Sequence, residues 1–313
     1  MYNYDKNYIA KRATELGFIR DTLEKVYRLA DVLEYLNTNP ILKDSLALKG
    51  GTAINLTIFN LPRLSVDIDL DYLGADSREE MLQKREIINS IFARFMAVSG
   101  YMLSPKTKTP HSLDSWVYEY VNSAGNRDNI KIEINYSMRA HILPAQEMKI
   151  ITEHFVSEYR VKCLSVIEIF GSKINALLNR TAARDLYDVY NMIKFRLFDE
   201  NEQELLRKSV VFYAAISAKE INKSFDTRAI ETITKYKIRT DLLPVITKGD
   251  SFDLDSAKKA VKEYISELMV LTPKEEEFLE KFENKEYIPE LLFDDEIVLG
   301  RIKTHPMALW KIR

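Results

Sequence analysis

Cysteine occurs once in this chain, as Cys163, and histidine four times. A lone thiol excludes an internal disulfide, and neither residue type recurs at zinc-site spacing, so a disulfide scaffold and a structural zinc centre are both ruled out. A reducing compartment suits this usage, and a cytoplasmic protein is the expectation. No stretch approaches the roughly 18 consecutive apolar residues of a membrane-spanning helix. The opening MYNYDKNYIAKR lacks the apolar core of a secretory signal, so neither membrane insertion nor secretion is expected. An excess of one charge is missing as well: 45 Lys and Arg stand against 47 Asp and Glu. No global field draws in nucleic acid, and any RNA or DNA contact has to use a local basic patch. His111, His141, His154 and His305 are scattered without a nucleophile or base at motif spacing. Covalent chemistry through histidine is therefore not expected. Internal repeats and low-complexity linkers are absent too.

What is present is an ordinary globular composition, 313 residues with 46% apolar and 29% charged side chains. That is enough for one sizeable domain with an appendage, or for two domains. Apolar residues recur at helical spacing from about residue 5 to 37 and again from 77 to 99. Leu46 to Lys49 reads as a short strand and Thr52 to Phe59 as a helix. Strands are expected near 101 to 107, 115 to 122 and 129 to 136, with SAGNRDN as the hairpin loop between the last two. Beyond Thr152 the pattern turns helical, over 164–180, 183–198, 203–222, 226–239, 254–269 and 273–284. This change of composition places a domain boundary near residue 155, giving regions 1–155 and 156–313. Cys163 and the tyrosines Tyr118, Tyr120, Tyr187 and Tyr190 read as core or rim.

The most informative stretch is KGGTAINLTIFNLPRLSVDIDLD, from Lys49 to Asp71. In an extended segment successive side chains alternate, so Asp67, Asp69 and Asp71 share one face and Val66, Ile68 and Leu70 the other. Like charges so close together either stay in water or hold a cation. The Gly50-Gly51 turn ahead of a helix offers backbone N–H groups to phosphate. Farther on, the isoleucines of NIKIEINY alternate with Lys131, Glu133 and Asn135, which puts another carboxylate on the polar face of another strand. Asp71 reads equally as a strand-end residue and stays outside the metal set.

This order of parts resembles the nucleotidyltransferase superfamily that includes DNA polymerase beta. Within it, KGGTAINL followed by RLSVDIDL and then KINALLNRTAARDLYDVY is similar to the AbiEii/AbiGii toxins of type IV toxin-antitoxin and phage-defence (abortive-infection) systems. The likeness covers about residues 45 to 195 and fades after about 200. Two departures from the general superfamily stand out: the span from Gly51 to Asp67 is slightly long, and Gly51 stands where Ser is common. Both suit the toxin branch.

The resemblance implies an α+β fold: a small mixed sheet of nucleotidyltransferase type with helices packed on one side, then a mostly helical C-terminal domain walling the cleft. It also implies transfer of a nucleoside monophosphate from a nucleoside triphosphate (NTP) with release of pyrophosphate. Asp67, Asp69 and Glu133 would hold Mg2+ or Mn2+, and Glu133 would also orient or deprotonate the attacking hydroxyl. Gly50, Gly51 and Thr52 would receive the phosphates, with Arg63 and Ser65 as further nucleotide contacts. Lys173 would counter triphosphate charge, Arg180, two helical turns on, would share its face, and Asp185 would position Lys173 or the nucleotide. The implied acceptor is the 3' end of tRNA, and the implied partner a separately encoded AbiEi-type antitoxin that need not bind tightly. A protein or small-molecule hydroxyl as acceptor, and a catalytically silent nucleotide-binding module, are the alternatives. Two basic runs, Lys223 to Arg239 and Arg301 to Arg313, are the candidates for RNA phosphate contacts, whereas Lys274 to Glu296 is acidic.

Overall fold

In a computed structural model of the chain, the described residues are 4–74, 77–150, 158–217 and 223–313. The helical run expected over 5 to 37 is two helices, α1 (Lys6–Leu16) and α2 (Arg20–Thr38), because the chain reverses at Gly17, whose N–H closes back onto Ala13 and Thr14. Asn39 then caps α3 (Pro40–Ser45), its side chain accepting from the N–H groups of Ile41 and Leu42. β1 (Leu46–Lys49) follows directly, and α4 (Gly50–Ala53) runs into a wider π turn over Ile54–Ile58. β2 (Asp67–Tyr72) leads to α5 (Arg78–Val98), which begins with a capping box between Ser77 and Glu80.

The remaining strands are β3 (Met102–Leu103), β4 (Leu113–Val121), β5 (Arg127–Asn135), β6 (Gln146–Lys149) and β7 (Arg160–Cys163). They form one seven-stranded mixed sheet in the order β3-β4-β5-β2-β1-β7-β6. Two of them escape a reading by alternation. β6 is QEMK, an edge strand with almost no buried side chain, and β7 is only RVKC. Both are recruited by pairing rather than by their own pattern. β3 is shorter than expected for a related reason: only Met102 and Leu103 meet β4, and both are exposed at the sheet edge.

The sheet has two unlike faces. Ile68, Leu70 and Tyr72 of β2 lie in register with Ile132 and Ile134 of β5 and with Leu46 and Leu48 of β1, all fully buried. Helices α2 and α5 cover this face: Phe92 packs 5.2 Å from Trp116, Arg28 sits over Tyr120 at 4.2 Å, and Tyr35 stacks on Phe95 at 3.8 Å. The opposite face carries Asp67, Asp69 and Asp71 beside Lys131, Glu133 and Asn135. Burial of one face thus fixes the strand register, and the register fixes which charges become neighbours.

The chain forms two compact units: residues 1–139, 145–164 and 244–249 make one, and 140–144, 165–243 and 250–313 the other. The boundary expected near 155 lies outside the described residues, as do His154 and the end of the helix expected at 203–222. In the first unit the returning segment is pinned by Leu64 N–H donating to the Val245 carbonyl at 2.7 Å and by Lys248 N–H donating to Gly17 at 2.9 Å.

The second unit is helical: α6 (Val166–Arg180), α7 (Ala183–Lys194), α8 (Glu200–Ser217), α9 (Lys235–Lys237), α10 (Leu254–Leu268), α11 (Pro273–Glu283), α12 (Glu296–Ile302) and α13 (Pro306–Lys311). The helix expected over 226–239 is instead broken into a 3-10 turn over Arg228–Thr232, the short α9 and a π turn over Ile238–Leu242. Thr234 causes the restart, its side chain accepting from the Lys237 N–H as an N-cap. α12 and α13 go unpredicted because each is too short to show a period. Cys163, read from the sequence as a core residue, closes β7; it is fully buried, and burial pushes its thiol up to about 12.

Candidate active site

Strand β1 delivers the chain to the Gly50-Gly51 turn, and both glycines are there because other atoms come too close for a side chain. Gly50 has a φ of +69°, and a Cβ on it would lie 2.6 Å from Asp69 Oδ2. A Cβ on Gly51 would lie 2.7 Å from Arg63 Nη2 and 2.9 Å from Ser65 Oγ. Contacts under 3 Å with carbon are repulsive, so the turn and the Arg63-to-Asp69 segment are fitted to each other only without side chains at these positions. Thr52 Oγ1 donates to the Asp67 carbonyl, which ties the first turn of α4 to the start of β2. Arg63 is 2% exposed; its Nη1 donates to the Leu64 carbonyl at 2.9 Å, and its backbone bridges Ile246.

The carboxylates follow from strand register. Asp69 lies opposite Glu133 on one side and opposite Lys49 on the other, while Asp67 lies opposite Lys131. Asp67, Asp69 and Glu133 are all half-buried. Lys131 Nζ stands 3.0 Å from Glu133 Oε2. Asp71 is different: it is buried and ion-paired with Lys49 at 2.5 Å. Burial raises its carboxyl to about 6, against the opposing pull of Lys49. It therefore acts as the ion-pair partner at the base of β1, apart from the two more accessible aspartates. Lys49 itself was missed by the motif reading, although its position just before the glycines is its signal.

The second unit gathers the other charged residues. Lys173 on α6 is 7% exposed and meets two carboxylates of α7, Asp185 Oδ1 at 2.9 Å and Asp188 Oδ2 at 3.1 Å. Arg180, one helical face along, holds Asp185 by two bonds, Nε to Oδ2 at 2.6 Å and Nη2 to Oδ1 at 2.9 Å. Burial raises the Asp185 carboxyl, but Lys173 and Arg180 together outweigh it and hold the group down at about 2. Asp188 is the member that sequence reasoning passed over; its i, i+3 spacing from Asp185 was the available signal.

Gly50, Gly51, Thr52, Arg63, Ser65, Asp67, Asp69 and Glu133 thus come together in the first unit, and Lys173, Arg180 and Asp185 in the second. Among the described residues no three His, Cys, Asp or Glu side chains form a ready-made metal cluster. The oxygen-only donor set of Asp67, Asp69 and Glu133 does fit a hard cation of the kind that completes its shell with phosphate oxygens and water.

A Gly-Gly turn closes one strand, an Asp-x-Asp strand runs antiparallel to it, and a carboxylate lies on the neighbouring strand, all on one mixed sheet. Residues 31–284 match the family model of the nucleotidyl transferase AbiEii toxin of type IV toxin-antitoxin systems, and the chain belongs to that family. Its fold is similar to that of MenT4, a nucleotidyltransferase toxin from Mycobacterium tuberculosis H37Rv, with a TM-score of 0.63 at 17% identity over 99% of this chain and 100% of that one. No curated protein sequence matches the chain. Family membership makes it a nucleotidyltransferase toxin with an NTP substrate and an antitoxin partner. No helix among the described residues is long and apolar enough to cross a membrane.

Proposed function

We propose that this chain transfers a nucleoside monophosphate from an NTP to the 3' end of tRNA, within a toxin-antitoxin pair that serves in phage defence. The observation that supports this reading best is the mutual fit of the Gly50-Gly51 turn with Asp69, Arg63 and Ser65. It sets a backbone phosphate cradle against the carboxylates. The N–H groups of Gly50, Gly51 and Thr52 bind the terminal phosphates, and Ser65 with the Arg63 guanidinium steadies the turn and adds positive charge beneath it. Magnesium or manganese held by Asp67, Asp69 and Glu133 would supply charge neutralisation on the triphosphate. Glu133 also orients the acceptor hydroxyl and takes its proton. For Lys173 we propose a role in countering triphosphate charge, for Asp185 the holding of that ammonium, and for Arg180 a further nucleotide contact. A buried ammonium held by two acids is costly to build, which supports a role beyond packing.

The test is incubation with each alpha-labelled NTP, magnesium or manganese, and total tRNA, beside the Asp67→Ala/Asp69→Ala variant. Label in tRNA only with intact carboxylates is the expected result. Label moving to protein would replace the tRNA acceptor by a protein hydroxyl, and nucleotide binding without transfer would leave a silent binding module.

A further inference from the structure

Of the two basic runs in the sequence, the run from Arg301 to Arg313 has three of its four Lys and Arg side chains engaged. Arg301 is spent on the carbonyls of His141 and Leu143, Lys303 pairs with Glu290, and Lys311 donates to the Ala215 carbonyl. Within the other run, Lys223 pairs with Glu283 and Arg228 with Asp226. The cations that remain close together in sequence are those of the turn from Lys235 to Arg239. There, none of Lys235, Lys237 and Arg239 forms an ion pair with an acid among the described residues. The flanking acids are engaged elsewhere: Glu231 holds Lys258 and Lys262, Asp241 accepts from Thr240 at 2.7 Å, and Asp253, whose charge Lys235 helps to hold, caps α10 through Ser256.

The same turn carries Tyr236, 63% exposed, with the Arg239 guanidinium 5.5 Å from its ring centre. Tyr236 stands three residues before Arg239, and the ring contact between them puts these two side chains on one face of the turn. Ile233, Ile238 and Leu242 are buried and anchor it. A large aromatic left in water costs hydrophobic free energy, and three neighbouring cations with no ion pair among the described residues repel one another. Together they match what a single-stranded nucleic acid offers: a flat base to stack on and phosphates to neutralise.

We propose that the Lys235–Arg239 turn is a docking platform for an RNA strand, with Tyr236 and Arg239 stacking an unpaired base and Lys235 and Lys237 contacting phosphates. This rests on the RNA acceptor of the preceding reading and assigns where that acceptor is held. The test measures binding of full-length protein to total tRNA without nucleotide, by fluorescence anisotropy over a range of salt concentrations. Tyr236→Ala is expected to weaken binding roughly tenfold, and Tyr236→Phe to leave it unchanged. Replacing Lys235, Lys237 and Arg239 by Ala is expected to flatten the salt dependence by about two in slope. Lys235, Tyr236 and Arg239 are exposed and Lys237 half-buried, so melting temperatures should move little. Unchanged affinity and salt slope in the combined variant would overturn the platform, as would a wild type that does not bind tRNA. Binding that depends on Tyr236 without any label transfer would leave the platform standing and sink the catalytic reading. Transfer to tRNA with an unaltered KM in the combined variant would do the reverse.

Discussion

At the residue scale, the site is governed by distances too short for ordinary side chains. Gly51→Ala places carbon 2.7 Å from the Arg63 guanidinium, so Arg63 has to move and the cradle shifts with it. Misplacement of about an ångström costs roughly tenfold to a hundredfold in rate. Label transfer should therefore fall by at least about tenfold while the circular dichroism spectrum stays native; retained activity would show that the close packing is incidental. Lys173 offers a second test. Its replacement by Met takes the ammonium from buried Asp188 and leaves Asp185 with Arg180 alone, and breaking a buried ion pair of this kind costs about 3 to 5 kcal/mol. Urea unfolding should show that loss, with Asp188→Asn in the same chain recovering part of it. The pH dependence has a definite sign. The Asp185 carboxyl is held at about 2 in the folded chain, below the roughly 3.9 of an unfolded aspartate. Its stabilisation is present above about pH 4 and disappears as the pH falls toward 2. Asp185→Asn should be less acid-sensitive than the wild type across that window.

At the scale of elements, Glu168 shows how a helix N-terminus becomes a junction. Its carboxylate is fully buried in the first turn of α6. It accepts from the N–H groups of Ile142 at 2.7 Å and Leu143 at 3.1 Å, from Ser165 Oγ at 3.0 Å and from Tyr213 Oη at 2.7 Å. One side chain thus joins α6, α8 and the 140–144 segment. Burial pushes its carboxyl upward, and the four donors offset that penalty. Tyr213→Phe removes one charge-assisted bond at a buried site and should cost about 2 kcal/mol in chemical denaturation. A change under about 0.5 kcal/mol would mean that the remaining donors suffice.

At the scale of the whole molecule, the two units interleave along the chain, since residues 244–249 return to the first unit after most of the helices. Val245 and Ile246 are buried there. A fragment ending at Leu164 lacks that segment, together with its bonds to Leu64 and Gly17. It should melt well below the first unit of the intact chain or fail to fold, as followed by hydrogen exchange at Leu64. Equal protection in the fragment would show the returning segment to be dispensable.

What the sequence by itself determined is local. DIDLD alternates apolar and acidic residues, and that alone commits Asp67 and Asp69 to one face once the other is buried. The glycine pair marks a close approach, and Ser77 and Glu80 mark the start of α5, because these signals act within a few residues. The mixed α+β character was legible in the same way, down to β1 at its observed bounds. The tertiary structure decided what spans long separations. It set β5 parallel to β2 so that Glu133 faces Asp69, gave Asp71 to Lys49, added Asp188 to Lys173, and enlisted β6 and β7 as strands. It also left Lys235, Lys237 and Arg239 with no ion pair among the described residues, in a run whose other cations are consumed. Charge pairing depends on which elements are brought alongside, and register comes from burial of the apolar face rather than from the charges themselves.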